Sequence, residues 1–263
     1  MKEYKTQVSF DQVDLSFLKG FERMLENQGI KTNTIIKHMV SLRQFVNQAI
    51  AEKYISSDDN PFRYYKPKTK EKKHKALTLA QVRAIEKYKP PTRHMEKIRD
   101  CFLFTCFTGF RYSDIVTLQP DNLNQDKSGQ WWINKFSVKT NIESCIPIST
   151  LFEGKALDIL QKYNMDIRKL VKIGSNGEAN ADLKTICKAT KLDLNFSLSW
   201  HVGRHTFGTL LTEQGISINV VSKLLGHTSV RMSETYCETT QTAILNSINQ
   251  STVGGKNKKK NNQ

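Results

Sequence analysis

The stretch IRDCFLFTCFTGFRYSD, residues 98 to 114, predicts a buried helix that ends in a charged turn. Apolar side chains fill most positions up to Phe107 instead of one face only, which is typical of a helix covered on all sides. Gly109 is the kind of residue that ends a helix, and Arg111 follows it. A guanidinium there can present paired N–H donors to an oxyanion, with Asp114 holding it by an ion pair. Taken alone, the segment is better explained by an ordinary surface ion pair.

Two amphipathic helices are predicted between the N-terminus and this stretch, and they form a small helical domain over residues 1–66. The first helix covers residues 14 to 28, ends before Gly29 and has its apolar stripe at Leu15, Leu18, Phe21 and Leu25. The second covers residues 32 to 55, and its apolar stripe comprises Ile35, Ile36, Met39, Leu42, Phe45, Val46, Ala49 and Ile50.

A lysine-rich run separates this domain from the rest of the chain. The sequence KPKTKEKKHK, residues 66 to 75, sets the single acid Glu71 against Lys66, Lys68, Lys70, Lys72, Lys73 and Lys75. So polar a run cannot bury itself, which predicts a linker at residues 67–76. A solvated tether is the plainer interpretation, and a DNA-binding strap that follows a phosphate backbone is the alternative.

A second domain is predicted over residues 77–240, mainly helical with a small antiparallel sheet. Thr78 and Gln81 have the spacing of a capping box and begin its first helix. Residues 131–139 and 143–149 have the pattern of two strands joined by a hairpin turn. Further helices are predicted at residues 151–163, at residues 181–190 and after Trp200. The fold class is therefore mainly α (α+β), with a C-terminal segment and basic tail at residues 241–263.

Composition restricts the partners of the chain. Its 40 Lys and Arg residues exceed its 25 Asp and Glu residues, which gives a net charge of +15 and a pI near 9.6. Such an excess of cations favours a polyanion, with nucleic acid ahead of an anionic membrane. The sequence contains no apolar run of about 20 residues and no signal peptide. Its five cysteines form no CxxC pair, which predicts reduced thiols in a cytoplasmic, nucleoid-associated protein.

The sequence HVGRH, residues 201 to 205, places two histidines and an arginine on one side of a predicted helix. Two histidines four residues apart resemble the zinc-binding helix of a metalloprotease. Val202, however, stands where that motif needs its glutamate, and Arg204 would put a fixed cation beside the metal. The sequence therefore predicts no metal site. His201, Arg204 and His205 are better suited to binding an anion.

The sequence VSKLLGHTSVRMSETYCE, residues 221 to 238, combines a helix end with an isolated tyrosine. Gly226 is typical of the residue after a helix, His227 follows in the turn, and Ser229 can cap a short helix that carries Tyr236. A half-exposed packing tyrosine is the commoner outcome for a single Tyr. The combination with the other groups favours a chemical role.

Together these groups satisfy the needs of phosphodiester cleavage. Arg111 and Arg204 can offset charge on the nonbridging oxygens without a metal, and Tyr236 can serve as the nucleophile. Lys139, at the tip of the predicted hairpin, is the candidate general acid for the leaving 5′ oxygen. His201 and His227 can hydrogen-bond the phosphate and assist proton loss from the tyrosine. A covalent phosphotyrosine keeps the energy of the broken bond, so rejoining needs no cofactor.

These motifs closely resemble the tyrosine recombinase (phage integrase) family. The resemblance rests on Arg111 in TGFRYSD, Lys139 in VKT, HVGRH at 201–205, LLGHTS at 224–229 and Tyr236 nine residues after His227, and spans about residues 11 to 245. Lys135 lies on the same hairpin, but Lys139 before Thr140 matches the family pattern better. Integrases and transposases of bacterial mobile elements are most similar.

The resemblance implies site-specific recombination of double-stranded DNA through 3′-phosphotyrosine links, by a homo-tetramer on paired sites. Asp114 and His205 would support the catalytic groups, and DNA-bending accessory proteins are possible partners. Residues 1–66 resemble the latter part of the family's core-binding domain, with fewer helices than usual. The two domains would close around the duplex. Residues Ile244, Leu245 and Ile248 resemble a segment that docks on a neighbouring protomer, and folding back on their own domain is an equal alternative.

Two other functions compete with this prediction. A noncatalytic DNA-binding accessory factor would share the basic surface but has no use for the full set Arg111, Lys139, His201, Arg204, His227 and Tyr236. A type IB topoisomerase shares the chemistry and relaxes DNA without paired sites.

Overall fold

The computed structural model describes residues 8–67 and 75–234. The chain divides into two compact units between Lys72 and Lys73. Both are helical, and the larger unit also contains a small antiparallel sheet, so the predicted mainly α (α+β) class is confirmed. Lys66 and Lys75 are exposed, and Lys68, Lys70, Lys72 and Lys73 lie outside the described residues.

The smaller unit is built on two helices, α1 (Leu15–Asn27) and α2 (Thr32–Ala51). Asp14 caps α1 by accepting a hydrogen bond from the backbone N–H of Phe17 at 2.6 Å. The two helices bury their facing apolar stripes together with Phe62 and Tyr65. The predicted burial of Phe45 is wrong, because 61% of this residue is exposed. Five residues of α2 are buried, and they form a stripe too narrow to include Phe45: Ile35, Met39, Leu42, Val46 and Ala49.

The larger unit begins with α3 (Leu79–Lys87), whose capping box joins Thr78 and Gln81 as predicted. Its central helix is α4 (Arg93–Thr108), in which every residue from Ile98 to Thr108 is buried. The other helices are α5 (Tyr112–Ile115), α6 (Lys155–Lys162), α7 (Ile167–Val171), α8 (Asn176–Ala189), α9 (Trp200–Glu213), α10 (Ile218–Leu224) and α11 (Arg231–Glu234).

Helices α4 and α9 approach each other closely at two glycines. A Cβ atom at Gly203 would lie only 2.9 Å from Cγ2 of Thr105, so a side chain there would push the helices apart. Gly109 ends α4 with a φ of +73°, and a Cβ atom there would lie 2.5 Å from Cδ1 of Phe207. Because neither glycine has a Cβ atom, the end of α4 can lie directly against α9.

The sheet has three antiparallel strands in the order β1 (Leu123–Gln125), β2 (Trp131–Phe136) and β3 (Glu143–Pro147). Ile133 pairs with Ile146, and both are fully buried on the face that packs against the core. The predicted hairpin is present, but its strands end at Phe136 and Pro147 and are therefore shorter than the predicted 131–139 and 143–149. Strand β1 escaped prediction because three residues, two of them Asn124 and Gln125, show no strand periodicity.

The cysteines at Cys101, Cys106, Cys145 and Cys187 are free thiols, and burial raises the pKa of Cys101 and Cys106. Cys237 lies outside the described residues. Across residues 8–67 and 75–234, every helix is too short or too polar to cross a bilayer.

Candidate active site

Arg204 joins the ends of two helices. From α9, its Nη1 donates to the carbonyl oxygen of Gly109 at 2.8 Å, and its Nη2 donates to that of Leu225 at 2.6 Å. Gly109 ends α4 and Leu225 ends α10. The last carbonyls of a helix lack partners within it and carry partial negative charge. A cationic donor therefore stabilises them both by hydrogen bonding and by its charge. Arg204 is only 3% exposed, and these bonds fix the plane of its guanidinium.

The same bridge brings two other predicted residues together. Arg111 follows Gly109 by two positions, and His227 follows Leu225 by two. Burial, and then the nearby charges of Arg204 and Arg111, lower the pKa of His227 to about 4. His227 is therefore neutral at neutral pH, and three residues distant in sequence share one electrostatic environment.

Arg111 and the hairpin are held by shared partners. Arg111 Nη1 donates to Ser137 Oγ at 3.0 Å and lies 3.8 Å from Asp114 Oδ2. The Asp114 side chain is 2% exposed, and its Oδ1 accepts a hydrogen bond from the backbone N–H of Val138 at 2.8 Å. One buried carboxylate thus contacts both the guanidinium and the hairpin turn.

Lys139 occupies that turn and is exposed. Thr140, on its other side, donates from Oγ1 to the carbonyl of Gly226 at 3.5 Å, so the turn is anchored on both sides. Lys135 is engaged elsewhere, because its Nζ donates to the carbonyl of Thr117 at 3.0 Å. Of the two hairpin lysines, Lys139 is the one at the tip.

Two family models match the chain. Residues 75–242 match the phage integrase family, and residues 1–70 match the phage integrase SAM-like domain. The chain belongs to the phage integrase family. The resemblance predicted from its motifs is confirmed, and with it the activity of a tyrosine recombinase, a DNA-binding enzyme that cleaves and rejoins strands at specific sites. The accessory-factor and topoisomerase alternatives are not favoured.

Relatives of this integrase-family chain include tyrosine recombinases XerD from two bacteria. The protein from Oceanobacillus iheyensis is 24% identical over 258 residues, covering 93% of this chain and 84% of the relative. The protein from Pasteurella multocida is 26% identical over 252 residues, covering 89% of this chain and 80% of the relative.

Solved structures of two integrases and of a site-specific recombinase have the same fold. A lambda integrase(75-356) dimer bound to a COC′ core site matches with a TM-score of 0.70 at 18% identity, covering 89% of this chain and 83% of that one. The Tn1549 transposon integrase in complex with transposon right end DNA matches with a TM-score of 0.68 at 18% identity, covering 90% and 85%. XerH bound to palindromic difH substrate matches with a TM-score of 0.68 at 14% identity, covering 95% and 76%.

The two histidines of α9 differ in exposure. His201 is exposed, His205 is buried, and their ring centroids lie 4.3 Å apart with the planes 76° from parallel. His201 and Arg111 line one pocket of about 290 Å³. The rest of that pocket is formed by Tyr112, Ser113, Asn176, Asn180, Ser199 and Trp200. Within the described residues, no group of three or more His, Cys, Asp or Glu side chains is arranged to hold a metal ion.

Two residues of the site were missed from sequence. Ser137 accepts from Arg111, and Ser233 lies with its Oγ 2.6 Å from Nδ1 of His227. Ser233 is fully buried, although the surrounding sequence is polar. A serine six residues after His227 gives no signal until the turn between them is known. Tyr236 lies outside the described residues, as do Ile244, Leu245 and Ile248.

Proposed function

We propose that Tyr236 carries out the strand cleavage of this recombinase. Its Oη attacks the phosphorus of one phosphodiester, the bond from phosphorus to O5′ breaks, and a 3′-phosphotyrosine forms. The phenol proton leaves with the help of His201, while His227 hydrogen-bonds the phosphate. O5′ receives a proton from Lys139 to become a free hydroxyl. Attack by a second 5′-hydroxyl reverses these steps and joins the strands.

The Arg204 bridge is the observation that carries this proposal. By bonding both Gly109 and Leu225, it gathers Arg204, Arg111 and His227 into one environment. Fixed cations around a phosphate stabilise the charge that grows on its nonbridging oxygens, and they need no rearrangement during the reaction. The neutral imidazole of His227 adds a hydrogen-bonding group without repelling the arginines.

The position of Lys139 supports its assignment as the general acid. Its turn is fixed by the bond from Val138 to Asp114 and by the bond from Thr140 to Gly226. Through Asp114, the turn is linked to Arg111. A lysine at such a tip can reach a leaving oxygen of a phosphate held by the arginines.

A suicide duplex tests the chemistry. The full chain is incubated, with EDTA present, with a nicked duplex containing the end of its mobile element, and a covalent complex that survives SDS is expected. Tyr236→Phe is the matched control, because it removes only the attacking oxygen. No adduct from the wild type on a cognate site, or an equal adduct from Tyr236→Phe, would contradict the assignment.

The proposal also covers how the enzyme assembles on DNA and where in the cell it resides. A core-binding domain at residues 1–66, a linker at 67–76 and a catalytic domain at 77–240 would act as a homo-tetramer on paired sites. The C-terminal segment at residues 241–263 would contact a neighbouring protomer or, as the equal alternative, fold back on its own domain. DNA-bending proteins would assist, and the enzyme would reside with the nucleoid in the cytoplasm. Mass photometry of the protein with one-site and two-site duplexes tests the stoichiometry, and four copies are expected on paired sites. Deletion of residues 241–263 should leave complexes of one or two copies.

A further inference from the structure

We propose that Ser233 is a positioning residue that sets which nitrogen of His227 carries the proton and so enables His227 to donate a hydrogen bond to the phosphate. The inference rests on the proposed function, because it assigns a partner to a histidine of that site. It also adds a residue to the reaction that sequence motifs did not identify.

The geometry gives Ser233 and His227 a short, buried contact. Ser233 Oγ lies 2.6 Å from Nδ1 of His227, at the short end of hydrogen-bond distances, and Ser233 is 0% exposed. Both residues are held by their backbones. The N–H of His227 donates to the carbonyl of Ser222 at 3.0 Å, and the N–H of Ser233 donates to that of Val230 at 2.7 Å.

The protonation state of His227 makes this contact chemically important. Burial, followed by the nearby charges of Arg204 and Arg111, lowers the pKa of His227 to about 4. A neutral imidazole has one N–H, and the partner of one nitrogen decides the role of the other. With the Ser233 hydroxyl donating to Nδ1, the proton resides on Nε2. Phosphate oxygens only accept hydrogen bonds, so this tautomer is the one able to donate to them.

Ser233→Ala and Ser233→Thr, made in the full chain, separate this role from packing. Ser233→Ala should lower the rate of adduct formation on the suicide duplex about 10- to 100-fold, the range known for losing the hydrogen-bond partner of a metal-binding histidine. Ser233→Thr keeps the hydroxyl and should restore the rate to within about threefold of the wild type. Duplex binding should remain unchanged in both. Ser222→Ala is the matched control, since Ser222 is also buried but meets His227 through its backbone carbonyl.

Nitrogen-15 NMR of the histidine rings reports the tautomer of His227, which should not change if Ser233 only fills space in the core. The His227 signals, assigned by their loss in His227→Gln, should show the Nε2–H tautomer in the wild type and Ser233→Thr and a mixture of tautomers in Ser233→Ala. An unchanged cleavage rate in Ser233→Ala, or equal losses in the Ala and Thr variants with one tautomer throughout, would overturn the proposal. A wild type without a Tyr236-dependent adduct would instead refute the proposed function, and the NMR comparison would still decide the role of Ser233.

Discussion

Arg204 and Lys139 are both cations assigned to the same phosphate, yet the protein holds them in opposite ways. Arg204 is buried and bonded to the carbonyls that end α4 and α10. Lys139 is exposed, and only its neighbours Val138 and Thr140 are anchored. A group that stabilises charge works best when it is fixed before the reaction. A proton donor has to approach and leave, so an exposed tip suits it.

Arg204→Ala should have the largest effect, because it removes both the catalytic cation and the bridge. Cleavage is expected to fall at least about 10³-fold, as for loss of a group that stabilises developing charge. The two buried carbonyls lose their donor, which should lower the free energy of unfolding by about 2–4 kcal/mol. The measurements are adduct formation on the suicide duplex and urea denaturation.

Much of the DNA affinity should survive in Arg204→Ala, since the broad basic surface supplies it. Arg204→Lys is the control, because it keeps the charge and loses the fork that reaches both carbonyls. If Arg204→Ala were as stable as the wild type, the bridge would have no structural importance, and the contrast with Lys139 would disappear.

Lys139→Met should impair chemistry and leave stability unchanged. Cleavage is expected to slow about 10²- to 10³-fold, because the leaving oxygen loses its acid. A duplex with sulfur in place of the bridging 5′ oxygen should restore most of the rate, since a thiolate leaves without protonation. The measurement is the adduct rate on the two substrates.

Lys135→Met supplies the comparison for that experiment. Lys135 donates to the carbonyl of Thr117, so its loss should cost little activity, and sulfur should not selectively rescue it. Selective rescue of Lys135→Met in place of Lys139→Met would reverse the assignment of the acid.

Asp114→Asn should have a smaller effect on cleavage, because Asp114 contacts Arg111 and the turn that carries Lys139. The amide oxygen can still accept from Val138, but the negative charge beside Arg111 is lost. Cleavage should fall about tenfold, with a loss of about 1–3 kcal/mol in the free energy of unfolding. The cleavage rate and the free energy of unfolding are measured in parallel for Asp121→Asn, which serves as the control because Asp121 is exposed. An Asp114→Asn variant with normal stability and activity would show that the two regions are independent.

His227 should give the smallest effect, a loss of stability in weak acid. Its folded pKa of about 4 lies below the ordinary value of 6.5, so the unfolded chain binds the proton first. The contribution of neutral His227 to the free energy of unfolding is therefore intact above about pH 6.5. It is lost as the pH falls toward 4 and changes no further below that.

Urea denaturation at pH 7 and pH 5 measures this loss. His227→Gln has no titrating ring, so the difference in unfolding free energy between the two pH values should be smaller than in the wild type. Equal differences would show that burial and the neighbouring arginines do not disfavour the charged form of His227.

The sequence predicted features that depend on neighbouring residues or on separated motifs. The capping box at Thr78, the buried helix ending at Gly109 and the family of the chain were all confirmed. The burial of Phe45 was wrong, because how wide a stripe is covered depends on the partner helix and not on periodicity alone.

Tertiary contacts were beyond prediction for a different reason. The hydrogen bonds from Arg204 to Gly109 and Leu225 join residues 95 and 21 positions apart in sequence. The hydrogen bond from Arg111 to Ser137 joins residues 26 positions apart. No local pattern encodes such pairs. The motifs predicted which residues carry the chemistry, whereas the partners that position them required the fold. The catalytic roles of all these residues stay predictions: Tyr236, Arg111, Arg204, His201, His227 and Lys139.

The close approach of α4 and α9 has a practical consequence for protein engineering. A mutagenesis library that varied Gly109 or Gly203 would be filled with inactive clones, since neither position has room for a side chain. Phe136 and Val138 on the hairpin are 57% and 61% exposed, and substitutions there disturb no core. Efforts to engineer such an enzyme should therefore keep the two glycines constant and confine random substitutions in this region to exposed positions such as Phe136 and Val138.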